Sequence, residues 1–197
     1  MIGQIDSPAW RYWLGKKYGY LLDRTLEIAD SKMCPITENE VAAASRSPIL
    51  RAAHLEDSIP SDEMLIHLGH AKSLQTLYIS DFKCLSGKQP SHLTNKGIQA
   101  LSGLTEIRSL GIVAADFVTD LRPLGTMKKL EYLRVTRTNV DDEGISVVEL
   151  LPNLVHLDLN ETRVTDGGIG HIAKATTIEI ARVRLWSQQR SSPPDYR

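Results

Sequence analysis

The chain has 197 residues, 42% of them apolar and 24% charged, which is enough to build one hydrophobic core and one folding unit. With 23 Lys and Arg against 24 Asp and Glu the formal net charge is −1, so there is no global attraction to nucleic acid or to an anionic membrane surface. No apolar run approaches the ~18 residues of a membrane span, and Met1-Ile2-Gly3-Gln4 lacks the basic start and apolar stretch of a signal peptide, so a cytoplasmic location without membrane insertion is expected.

Five of the eleven aromatic residues fall between positions 10 and 20. Trp10, Trp13, Leu14, Tyr18, Leu21 and Leu22 line one face of a helix that Ser7 and Pro8 can start, although Gly15 and Gly19 weaken it. Residues 1–24 therefore read as an N-terminal helical cap, with an aromatic partner-binding patch as the rival reading. Behind it, Leu26 and Ile28 read as a strand and Ile36-Thr37-Glu38 as a cap turn. Cys34 and Cys84 would lie two strand steps apart, about 10 Å, and read as free thiols.

From Leu50 onward the sequence repeats. The spacing apolar-x-x-apolar-x-apolar occurs at Leu74/Leu77/Ile79, Ile107/Leu110/Ile112, Leu130/Leu133/Val135 and Leu154/Leu157/Leu159. Degenerate copies stand at Leu50/Ala53/Leu55 and Ile178/Ala181/Val183, so first positions are 24, 33, 23, 24 and 24 residues apart. A period near 24 predicts a solenoid. Each copy opens with a short strand whose apolar residues face the core while the residues between them face out. A polar cap then precedes a short outer helix: Ser61-Asp62 before Leu65, Thr94-Asn95 before Ile98, Asp141-Asp142 before Ile145, and Thr165-Asp166 before Ile169, Ile172 and Ala173. These Thr and Asp residues read as helix caps and not as catalytic groups. Gly97, Gly144 and Gly168 at matching sites predict close packing of each outer helix on its neighbours. The 33-residue copy carries about nine extra residues, Lys83 to His92, and the copy at Val118–Leu124 has Pro123 where a helix would form, predicting a turn there instead.

These coils, reading L-x-x-L-x-L-x-x-T-x-V-T-D-x-G-L-x-x-L, resemble the leucine-rich repeats of the short bacterial kind. The resemblance covers roughly Thr25 to Leu185. It implies an α/β solenoid, a right-handed horseshoe of about seven coils over residues 25–185, with a parallel β-sheet on the concave face and short helices on the convex face. Thr138 and Thr162 stand where many members carry Asn or Cys, so a hydroxyl is expected to satisfy the turn's backbone groups. Trp186 is placed to cover the last coil, and residues 186–197 read as a C-terminal cap and frayed tail with Ser191-Ser192-Pro193-Pro194.

Function falls to residues free of structural duty, chiefly the outward positions of the strands. The central outward row is expected to run Glu27, His54, Tyr78, Gly111, Arg134, Asp158, Arg182, and the row before it Thr25, Ala52, Thr76, Ser109, Tyr132, His156, Ile180. Acid (Asp30, Glu56, Asp57, Asp81) dominates the early coils and Arg (Arg137, Arg184) the late ones, with Asp158 and Glu161 interrupting. A partner-binding surface is assigned to His54, Tyr78, Tyr132, Arg134, His156, Asp158 and Arg182, because Tyr and Arg are favoured anchors of protein interfaces. The loop residues Lys83, Lys88 and His92 form a second candidate.

Catalytic readings are poorly supported. His67 and His70 share a helix step, but no carboxylate or Cys completes a metal-ligand set, and Gly167-Gly168-Ile169-Gly170 lacks the Lys of a phosphate loop. His156 and Asp158 point the same way from an open sheet that offers no burial. The expectation is a non-enzymatic protein-interaction module with no cofactor and no metal. Its partner is expected to be a protein, with no nucleic acid, and the chain a monomer. The alternatives are an assembly element docking through the aromatic N-terminus and a recognition arm of a larger enzyme system.

Overall fold

The computed structural model describes residues 26–29, 36–56, 58–80 and 93–184. The expected cap at 1–24, the loop with Lys83, Lys88 and His92, both cysteines, and the segment 186–197 lie outside the described residues.

Seven short strands follow in chain order: β1 (Leu26–Ala29), β2 (Leu50–Leu55), β3 (Thr76–Ser80), β4 (Ser109–Val113), β5 (Tyr132–Thr136), β6 (His156–Asp158) and β7 (Ile180–Arg182). All pair in parallel, and their order in the sheet is their order in the chain. Between them run the helices α1 (Glu38–Ser45), α2 (Asp62–Leu68), α3 (Asn95–Ala100), α4 (Asp142–Ile145) and α5 (Asp166–Lys174). Tighter 3₁₀ turns occupy Leu101–Gly103, Arg122–Thr126 and Ser146–Leu150, the second of them carrying Pro123 in its first turn, in the coil where a full helix was not expected.

The register explains why the repeat holds. Ala53, Leu77, Leu110, Leu133, Leu157 and Ala181 are successive Cα partners, and the four leucines are at most 1% exposed. Leu74, Ile107, Leu130 and Leu154 form a second interior set, and Leu55, Ile79, Ile112, Val135 and Leu159 a third, each fully buried. Burying each such side chain is worth about 1.5–3 kcal/mol relative to leaving it in water. No coil can bury its own set alone, which ties stability to stacking.

The outer helices start where the cap chemistry predicted. Thr37 makes a full capping box with Glu40, and Ser61, Thr94, Asp141 and Thr165 each accept a hydrogen bond from a first-turn N–H. A second tie runs between coils. The first helical residue of one coil reaches the cap of the next: Asp62 accepts from the Thr94 N–H (2.8 Å) and hydroxyl (2.7 Å), and Asp142 does the same for Thr165. Asn95 accepts from the Thr119 N–H at 2.9 Å and donates to its hydroxyl at 2.8 Å, an amide version of the same link. The close approach expected at Gly97, Gly144 and Gly168 is present, since a methyl at any of them would collide with the neighbouring coil or the turn before it.

Thr138 and Thr162 are each 1% exposed, and the Thr162 hydroxyl donates to the Leu159 carbonyl at 2.9 Å, so a hydroxyl does serve the turn. Three departures from expectation have physical causes. Glu27 pairs with Ala52 and not with His54, because a register irregularity between Leu26 and Glu27 shifts β1 by one row; it is Ala29 that faces His54. Ile172 packs against the core, but Ile169 is 40% exposed and Ala173 is exposed, so α5 is packed along only part of the face its spacing indicated. β7 is exposed at all three residues, including Ile180 at 44%. Both lie at the C-terminal end of the described stack, where no further complete coil covers them among the described residues.

Candidate functional site: the concave sheet face

Alternation along each strand puts one set of side chains on the open face of the sheet. The central row there is His54, Tyr78, Gly111, Arg134, Asp158 and Arg182, each the Cα partner of the next. The preceding row holds Thr76, Ser109, Tyr132, His156 and Ile180 in the same way. All seven assigned binding residues therefore lie on one continuous surface.

Contacts organise that surface into two groups. The His54 and Tyr78 rings stack with centroids 6.5 Å apart, and the Tyr132 and His156 rings tilt against each other at 5.9 Å. Tyr78 also reaches across an entire strand: Arg134 Nη1 donates to its hydroxyl at 3.4 Å. Gly111 makes this possible, because a Cβ there would overlap the Tyr78 ring, which lies across that position. Burial pushes the Tyr78 phenol above its ordinary value, and the Arg134 charge opposes the shift.

Asp158 was expected to be exposed, yet its residue exposure is 8%. Its Oδ1 accepts from the Asn160 N–H at 3.2 Å, and its Oδ2 lies 3.7 Å from Arg134 Nε. That ion pair does not include a hydrogen bond, and Arg134 Nε is buried without an acceptor among the described residues. The carboxylate thus acts as a counter-charge that fixes the guanidinium, with His156 directed elsewhere toward Tyr132.

The expected split of charge is modified by pairing. Arg137 and Glu161 leave their strands in the left-handed region, at φ 56° and 59°, and bind each other through Nε–Oε2 at 2.9 Å. Arg182 and Arg184 are exposed and have no ion-pair partner among the described residues. On the acidic side, Asp30, Asp57 and Asp81 lie outside the described residues, and Glu56 is exposed. The role of Gly111 and the Arg137–Glu161 pair escaped the sequence reading; a glycine in an outward row between Tyr and Arg was the available signal.

Among the described residues, no group of three or more His, Cys, Asp or Glu is gathered to hold a metal, and no helix is long and apolar enough to cross a membrane. A family model described as "Leucine Rich repeat" matches residues 126–148 and 151–173. A search of curated proteins finds no match. Among solved structures, the chain is similar to internalin C2 of Listeria monocytogenes, with a TM-score of 0.54 and 21% identity over 73% of this chain. It is also similar to internalin F of the same organism, with a TM-score of 0.56 and 20% identity over 79% of this chain. It spans 65% of the first and 38% of the second, and at such identity the likeness concerns the fold. Two coils match the repeat model and the sheet-and-helix stack is similar to that of the internalins, so the chain has a leucine-rich-repeat fold.

Proposed function

We propose that this chain is a non-enzymatic protein-binding module that seats a protein partner on the concave sheet face. The observation that carries the reading is the double row of Tyr78, Tyr132, Arg134 and His156. These side chains are held in place by one another and stand on the outward rows of a parallel sheet. Tyr, His and Arg on a fixed backbone lose little conformational entropy on binding, and Tyr and Arg dominate measured interface energetics. His156 and Asp158 do not form an acid–base couple, since the carboxylate faces Arg134, which supports a binding role over a catalytic one.

The test is capture of a partner by immobilised protein, followed by capture with Tyr132→Ala combined with His156→Ala. Both residues are partly exposed and outside the core, so the variant is expected to melt within a few degrees of wild type while retaining less than a tenth of the partner. Undiminished capture by the folded variant would move the binding surface elsewhere.

A second reading is attachment of the C-terminal end to further structure, in this or another chain. Exposure of Ile169 and Ile180 at 40% and 44% at the C-terminal end of the described stack favours it, because a solenoid exposes its core wherever the stack stops. Ile169→Lys, on the outer helix and off the concave rows, would separate the two readings, disrupting such attachment while leaving binding centred on Tyr132 intact.

A further inference from the structure

Resting on the concave-face reading, we propose that the C-terminal half of this face takes an extended acidic segment of the partner protein, with its Asp or Glu side chains held by Arg134 and Arg182.

Four observations carry the inference. The outward charged residues of this half are Arg134, Arg137, Arg182 and Arg184 against Asp158 and Glu161. The two acids are already engaged, Glu161 by Arg137 and Asp158 beside Arg134, and Asp158 is buried. What remains for a partner is positive, in a chain whose net charge is −1. The nearby acids Glu131 and Glu179 stand at the start of their strands, and Glu131 is paired with Arg108.

The second observation is the state of Arg134. Its guanidinium is oriented by Asp158 and the Tyr78 hydroxyl, and its side chain remains 39% exposed. Orientation without saturation leaves terminal N–H donors for a carboxylate, which guanidinium binds in a two-point fork.

Spacing is the third. Arg134 and Arg182 are the Cα partners on either side of Asp158, two strand steps or about 9.6 Å apart. In an extended chain alternate side chains point the same way at about 6.8 Å, and two flexible arginines close the remaining gap. Tyr132 and His156 in the adjacent row then meet the apolar parts of the segment.

The fourth concerns selectivity. A polyphosphate backbone carries charge at every step and would meet the Asp158 and Glu161 carboxylates, whereas separated carboxylates of a peptide can straddle them.

The experiment selects a random dodecapeptide display library on the immobilised full chain, then repeats the selection on Arg134→Gln, Arg182→Gln, Tyr132→Ala and the control Arg163→Gln, whose residue lies outside the strands. Melting temperatures verify folding of each variant. The expected result is enrichment of peptides with Asp or Glu two residues apart, at least tenfold weaker on either arginine variant of the concave face, unchanged on Arg163→Gln, and weakened by salt. Selected peptides should also outcompete a dT oligonucleotide and inorganic phosphate at equal ionic strength. Neutral or basic consensus peptides that still depend on Tyr132 would overturn the acidic partner while leaving the concave-face reading standing. Peptides indifferent to Tyr132, Arg134 and Arg182 alike would overturn both, and displacement by the oligonucleotide at lower concentration would reassign the arginines to nucleic acid.

Discussion

Two glycines on the convex side give opposite responses to the same substitution. Gly144 lies in α4, where a methyl would fall on the backbone carbonyl oxygen of Thr119 in the preceding coil, well under the 3.0 Å that real Cβ contacts keep. Gly170 lies in the interior of α5 and has nothing among the described residues within 4 Å of the same position. By helix propensity alone, each Gly→Ala change stabilises by about 0.8–1.0 kcal/mol. For Gly170→Ala that gain stands, and a rise in Tm of about 2–4 °C is expected for a chain of this size. For Gly144→Ala, relief requires moving backbone against a coil held on both sides, and overpacking of that kind costs about 1–3 kcal/mol. After subtracting the propensity gain the net loss is up to ~2 kcal/mol, with Tm falling by as much as about 8 °C. Urea unfolding followed by far-UV circular dichroism reads both variants, with unchanged m-values confirming that only stability moved. A Gly144→Ala protein as stable as Gly170→Ala would refute the close coil-to-coil approach on the convex side.

The remaining predictions concern single polar groups. Ser80 Oγ is fully buried with no hydrogen-bond partner among the described residues, so Ser80→Ala is expected to stabilise by about 1 kcal/mol, read as a higher urea midpoint. Thr162→Val, of nearly the same shape, is expected to destabilise by about 1–2 kcal/mol because it strips the Leu159 carbonyl of its donor. Hydrogen bonds from Thr165 hold the Asp142 carboxyl below its ordinary value, and Arg122 does so for Asp120. A folded-state value below the unfolded one of about 3.9 means that the stabilisation is present above that pH and is lost as pH falls through the folded value. Asp142→Asn, imitating the neutral link made by Asn95, is expected to keep most of the stability at pH 7 and to lessen its loss below about pH 4, as measured by thermal melts across pH.

What was legible in the sequence was whatever a single coil encodes about itself. The three inward positions repeat at fixed spacing, and a cap residue must precede each helix, so Leu133 and Thr165 declare their roles without reference to other coils. From β2 onward the contents of the outward rows were equally legible, because alternation along a strand is fixed by the pleat. Relations between coils were not. Nothing local to Tyr78 says that its ring lies over Gly111 to meet Arg134 two strands away, or that Asp158 sinks beneath its neighbours. Likewise the irregularity that displaces Glu27 arises in a first coil lacking the period of the others, and the exposure of Ile169 is set by the end of the stack and not by its own coil.

The concave sheet is where partners are expected to meet this chain. A photoreactive phenylalanine analogue placed at Tyr132, and separately at the exposed convex residue Glu143, tests this in cells expressing the chain. The expected result is a discrete crosslinked protein from position 132, absent from position 143 and lost on Arg134→Gln. Crosslinking from 143 with none from 132 would contradict it.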